Sequence, residues 1–165
     1  MRRIGVISDT HGLLRPQAVE ALEGSDLILH AGDVGDAAIL ERLEAIAPLR
    51  AVRGNTDHGD LRRTLPATAV VDLGASDGRL GEEGPRGPVA YVLHEIEDLD
   101  VDPVAAGFAV VVTGHTHRPS TRRRDGVLYL NPGSAGPRRF DLPVTVARMT
   151  VGLGEPEVEV VRLEV

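Results

Sequence analysis

The sequence has no cysteine. That absence excludes disulfide frameworks, cysteine zinc sites, iron–sulfur clusters and thiol nucleophiles together. Lysine is missing as well, because all 18 basic residues are arginine. A phosphate-loop lysine, a Schiff-base lysine and a Ser-Lys dyad are therefore excluded. The aromatic residues are only Tyr91, Phe108, Tyr129 and Phe140. Four aromatics make no base-stacking platform, and a formal net charge of −7 opposes general nucleic-acid binding. No apolar run approaches the roughly 20 residues of a membrane span. The apolar start of the chain meets polar Ser8-Asp9 too soon for a secretory signal. The expectation is a cytoplasmic protein with no membrane partner. What the chain does have is 42% hydrophobic residues over 165 positions. That suits a single domain, residues 1–165, at a scale of about 150 residues per domain.

The first half alternates short apolar runs with helical patterns. Residues 4–7, 27–29 and 49–52 read as strands, and residues 17–22 and 37–47 as helices. Pro16 opens the first helix and Gly24 stops it; in the second, Ile39, Leu40, Leu43 and Ile46 recur at helical steps before Pro48. Strand, helix, strand, helix, strand with short connections predicts parallel βαβ units covered on both faces. The second half is richer in strands, at 67–73, 89–93, 109–113, 127–130, 144–151 and 158–165. Asp125-Gly126 after Arg122–Arg124 is a hairpin signal. The glycine-rich stretch 74–87 reads as a mobile loop. Two sheets, or one mixed sheet, with helices outside, fit these elements.

Residues suited to bind metal follow the strands repeatedly. Asp9 and His11 follow the first, Asp33 the second and Asn55 the third; His94 follows the 89–93 strand, and His115 and His117 follow 109–113. The carboxyl ends of parallel strands share one edge, where ligands bind. Carboxylates, an amide and imidazoles suit borderline divalent ions such as Mn, Fe, Zn or Ni. Seven donors exceed what one ion needs, so two ions sharing a bridging carboxylate are expected, with Asp33 the natural bridge. Such a pair would offset four of the seven net negative charges and is of the kind that can clamp a phosphoryl group.

Asp9-Thr10-His11, Gly32-Asp33, Gly54-Asn55, His94 and Gly114-His115-Thr116-His117 stand in the order of the calcineurin-like metallophosphoesterases, which the chain resembles over nearly its whole length. It is most similar to the small YfcE-type phosphodiesterases, to which the retromer subunit Vps29 is also similar. The resemblance implies a four-layer α/β/β/α sandwich of two mixed sheets flanked by helices. It implies one ion on Asp9, His11, Asp33 and His117, and a second on Asp33, Asn55, His94 and His115. Asp33, Asn55 and His94 would act directly in catalysis. The implied function is a divalent-metal-dependent phosphodiesterase acting on a small phosphodiester, with a metal-bridging water or hydroxide as nucleophile and manganese as the expected metal. The same resemblance leaves room for an interaction scaffold, a phosphomonoesterase or a nucleotide pyrophosphatase, and for a homo-oligomer.

Two positions depart from the wider pattern. Thr56 stands where protein phosphatases carry a histidine that protonates the leaving group; YfcE-type members lack it too, which favours a diester with an activated leaving group. Glu95-Ile96 follow His94 where Gly and His are usual, removing an imidazole and adding a negative charge. His58 is a candidate substitute acid. His30 is expected to pack at a strand end, Asp57 to form a turn or support a ligand, and the acidic run 95–102 to be a solvated face. Arg122–Arg124 fit a hairpin surface or subunit contact, and Asn131-Pro132-Gly133-Ser134 either a plain turn or a support for the His115 loop.

Overall fold

The computed structural model describes residues 1–165. The elements are β1 (Arg2–Ile7), α1 (Pro16–Leu22), β2 (Leu27–His30), α2 (Ala37–Glu44), β3 (Leu49–Ala51), α3 (Asp60–Thr64), β4 (Thr68–Asp72), β5 (Val89–Leu93), α4 (Pro103–Ala106), β6 (Val110–Val112), β7 (Ser120–Arg124), β8 (Val127–Asn131), β9 (Thr145–Val151) and β10 (Glu157–Arg162). They form two five-stranded sheets, ordered β10-β9-β1-β2-β3 and β4-β5-β6-β8-β7. Both are mixed. β1, β2 and β3 run parallel, as do β5, β6 and β8, and the remaining pairs are antiparallel. No helix is long and apolar enough to cross a membrane.

Strand alternation sorts the core. Ile4, Val6, Leu27 and Leu29 of the first sheet meet Ala90, Val92, Val110, Val112, Leu128 and Leu130 of the second in a cluster of 18 buried residues. The intervening Ile7 and Ile28 face α1 and α2 in a second cluster of 15. Each such side chain taken from water contributes about 1.5–3 kcal/mol, so a one-residue slip of β1 or β2 would disorder both layers at once. The outer face of the second sheet holds only four buried residues, Tyr91, Leu93, Val111 and Val127. Packed against it are Leu99, just after the 3-10 turn Ile96–Asp98, and Phe108, just after the single-turn α4. The two-sheet sandwich is as expected, with its fourth layer reduced to these short turns.

Several local expectations change. α2 ends at Glu44 rather than residue 47, the chain tightening into turns that bond Ile46 and Ala47 back to Leu43. α3 and α4 are too short to show a period in sequence. Within the exposed acidic run, Asp102 caps α4 by accepting from Val104 N at 3.0 Å. The glycine-rich loop, expected to be mobile, is tied at its base. Asp72, fully buried, accepts from Gly74 N, Arg86 N and Gly87 N at 2.7–3.1 Å. The hairpin is as read: Asp125 (φ 52°) and Gly126 (φ 79°) both take the left-handed backbone of a type I′ turn.

Candidate metal centre

The carboxyl ends of β1, β2, β3, β5 and β6 converge on one edge where the sheets meet, and all seven candidate donors come with them. Asp9, His11 and His117 form one triad, and Asp33, His94 and His115 another. In the first, Asp9 Oδ1 lies 3.3 Å from His117 Nε2 and 3.6 Å from His11 Nε2, and the two imidazole nitrogens are 3.3 Å apart. In the second, Asp33 Oδ2 lies 3.1 Å from His94 Nε2, while Asn55 Oδ1 lies 3.1 Å from His115 Nδ1. Asp33 Oδ2 also lies 3.6 Å from His11 Nε2, so this oxygen faces both triads. Two donors bound at 2.0–2.2 Å to one ion stand about 3.0–3.7 Å apart for bond angles of roughly 90–120°. All of these separations fall in that range. His94 Nε2 to Asp9 Oδ1, across the triads, is longer at 3.9 Å.

Two buried atoms aimed into the centre, Asp9 Oδ1 and His94 Nε2, have no hydrogen-bond partner. Buried polar atoms rarely stay unpaired without a ligand to take. The chemistry of the donors and these two unpaired atoms together fit divalent ions.

Surrounding groups orient the donors. Asp9 is fully buried; its Oδ2 accepts from Ser8 Oγ at 2.5 Å and from His115 N at 3.0 Å, turning Oδ1 inward. Burial alone would raise the Asp9 pKa. The facing imidazoles of His11 and His117 and the Ser8 hydroxyl outweigh it and hold the carboxyl far below the usual range. For Asp33, burial again pushes up, and His94 with the Thr56 N–H, which donates to Oδ1 at 2.9 Å, brings the net down. His94 donates Nδ1–H to Ala31 O at 2.7 Å, which leaves the Nε2 lone pair facing Asp33. Burial alone would depress His94; Asp33, Asp9 and the Ala31 carbonyl raise it above its ordinary value. A divalent ion would take the place of that proton.

The backbone is specialised at the same points. Seven non-glycine residues have positive φ, and Asp9, His11, Asp33, His115 and His117 are five of them. A left-handed residue costs about 1–2 kcal/mol, and such strain gathers at functional sites. Nothing in the sequence marks this except the residue types, since Asp and His tolerate that region better than most. Two glycines admit the carboxylates. A Cβ at Gly54 would overlap the Asp33 carboxylate, and one at Gly114 would overlap Ser8 Oγ and Asp9 Oδ2.

Other residues take supporting positions. His30 is fully buried. Its Nδ1 accepts from Gly32 N at 3.1 Å, so Nε2 carries the hydrogen and donates to Thr10 Oγ1 at 3.0 Å, and that hydroxyl donates to Val34 O. Asp57 accepts from Gly54, Val34 and Gly35 N–H groups, tying the Asn55 turn to the Asp33 turn. Asn131 donates to Gly114 O and Thr116 Oγ1, so the Asn-Pro-Gly turn supports the His115 loop. The support from Asn131 is one of the two expectations for that turn, whereas sequence spacing does not reveal the role of Ser8. His58 is exposed on its turn, with Nδ1 3.1 Å from Thr56 O, and is not among the converged donors. A groove of about 170 Å³, lined in part by Arg53, Asn55, Arg62, His94 and Glu95, opens beside the second triad. A larger hollow of about 290 Å³ lies behind the Gly114–Thr116 segment against β7 and β8 and contains none of the donor side chains.

A sandwich of two mixed sheets with Asp, Asn and His donors on one edge defines a metallophosphoesterase-type fold. The chain belongs to the calcineurin-like phosphoesterase superfamily, whose domain model matches residues 1–153. It is 38% identical over 154 residues to a probable metallophosphoesterase of Methanothermobacter thermautotrophicus, covering 88% of this chain and 85% of that protein. Among solved structures, a novel archaeal phosphodiesterase superposes with a TM-score of 0.72 at 22% identity, over 96% of this chain and 99% of that one. Vps29 of Chaetomium thermophilum superposes equally well, TM-score 0.72 at 22% identity, over 98% and 97%. At such identities the two structures speak for the fold alone.

Proposed function

We propose that the protein is a dinuclear, divalent-metal-dependent phosphodiesterase. The observation that carries this reading is Asp33 Oδ2, within 3.1 Å of His94 Nε2 and 3.6 Å of His11 Nε2, joining two donor sets at ion-sharing distances. Asp9, His11, His117 and Asp33 would hold one ion, and Asp33, Asn55, His94 and His115 the other. When bound, such a pair supplies positive charge against the phosphoryl oxygens and activates a water as nucleophile. The chain's own part is to hold that arrangement before the substrate arrives. The Ser8 and His115 N–H bonds turn Asp9, the Ala31 carbonyl sets the His94 tautomer, and Asp57 clamps the Asn55 turn. One ester arm of the substrate would extend into the groove beside Asn55. Thr56 offers no imidazole to protonate a leaving group, so activated diesters should turn over best. Manganese fits the mixed oxygen and imidazole donors.

The test is hydrolysis of bis(4-nitrophenyl) phosphate by chelator-stripped protein reloaded with Mn, Fe, Ni or Zn, alongside 4-nitrophenyl phosphate. Diester turnover that requires added metal, with two ions per chain by elemental analysis, is the expected result. A marked preference for the monoester would make the protein a phosphomonoesterase. Stoichiometric metal with no turnover on either substrate would favour an interaction scaffold, a reading that the likeness to Vps29 keeps in play.

A further inference from the structure

The residue after His94 has a use of its own. The Glu95 side chain is 28% exposed, makes no hydrogen bond within the chain, caps no helix and has no arginine partner. The ionisable group it approaches is the His115 imidazole: Glu95 Oε1 lies 3.7 Å from His115 Nδ1. That nitrogen is the one that lies 3.1 Å from Asn55 Oδ1. A carboxylate oxygen and an amide oxygen thus flank one imidazole nitrogen on the open side of the second triad. The 3.7 Å separation is within the span expected of two donors on a single ion. The position is also the end of the groove that Glu95, Asn55 and His94 help to line. Of the acidic neighbours of Glu95 in the 3-10 turn, Asp98 also lines that groove, and neither Glu97 nor Asp98 pairs with a donor imidazole.

The geometry points to Glu95 as a fifth protein donor for the ion held by Asp33, Asn55, His94 and His115. This rests on the dinuclear reading above and adds an anionic ligand to one half of it only. An added carboxylate raises the affinity of that half for a hard divalent ion and leaves the Asp9 half unchanged. Because Glu95 is partly exposed and free of other bonds, it is also the donor most easily displaced by an incoming phosphate oxygen.

The test titrates Mn(II) into chelator-stripped wild type, Glu95→Gln and Glu97→Gln, followed by calorimetry and by loss of the free-ion EPR signal. Wild type should bind two ions. Glu95→Gln should weaken one of the two constants about tenfold or more, the scale seen when groups around a metal are removed, and leave the other intact. Glu97→Gln should change neither. Constants in Glu95→Gln equal to wild type, or an equal weakening in Glu97→Gln, would overturn the role of Glu95 while leaving the dinuclear reading standing. A wild type that takes up one ion or none would overturn that reading, and this inference with it.

Discussion

Asp9 and His117 lie at 0% and 3% exposure, whereas His115 leaves 39% of its side chain in solvent and Asn55 is exposed. The two halves of the donor cluster share Asp33, and each has one partly exposed imidazole, but their outer corners differ. The Asp9 half is set into the interior, with Ser8 and the His115 backbone occupying the oxygen it does not turn inward. The other half keeps His94 buried but carries His115 and Asn55 on loops at the rim, beside a groove and the Glu95 carboxylate. The difference separates two tasks. The buried corner is tied to the packing of the fold, and on the function proposed above the open corner is where solvent and substrate would gain access.

Substitutions should reveal that division. Asp33 belongs to both halves, so Asp33→Asn should have the largest effect. Diester hydrolysis should fall by roughly 10²- to 10³-fold, the scale of losing one preorganised charge-stabilising group. Kinetics on a variant shown to be folded would check this, and a loss under tenfold would mean the halves work independently.

The next effect is one of pH. Burial, its leading cause, holds His30 down at about 4, despite the nearby carboxylates of Asp9, Asp57 and Asp33. The unfolded chain takes up this proton near pH 6.5 and the folded chain does not until about 4. Folded stability from this residue is therefore complete above pH 6.5 and lost as pH falls towards 4, by up to about 3 kcal/mol at about 1.4 kcal/mol per pH unit. Denaturant unfolding of metal-free protein between pH 7.5 and 4.5 measures it. A His30→Gln variant with the same slope would place the acid sensitivity elsewhere.

The smallest effects compare the halves directly. In metal-free protein, His117→Ala should cost about 1–3 kcal/mol, because it empties a buried position and removes the imidazole facing the buried Asp9 carboxylate. His115→Ala should stay within about 0.5 kcal/mol, as exposed substitutions do. Equal unfolding midpoints for the two variants would erase the distinction between an interior half and a rim half.

Much of the centre is legible in the sequence because few residue types bind divalent ions and these stand directly after apolar strands. Asp9, His11, Asp33, Asn55, His94, His115 and His117 are all found that way, and all seven converge. The βαβ half is legible for a similar reason, since β1 to β3 are apolar and punctuated by Gly and Pro. The thin outer layer over the second sheet is not, because the Ile96–Asp98 turn and α4 span three and four residues and leave no period to read. The anchoring of the glycine-rich loop is hidden too. It depends on Asp72, whose partners Arg86 and Gly87 lie some fifteen residues away in sequence. Glu95 stands out in sequence only as an added charge. Its place beside His115 emerges only from the fold.

The five left-handed donors carry a consequence for inheritance. Asp9, His11, Asp33, His115 and His117 occupy corners of the backbone that suit Asp, Asn, His and Gly better than other residues. A descendant that abandoned the chemistry would still be held to that short alphabet at those corners, so these letters can outlast the activity they once served. Asn55 and His94 sit in ordinary backbone and have no such reason to persist. In a relative of unknown habits, those two letters are the better witnesses to a working centre.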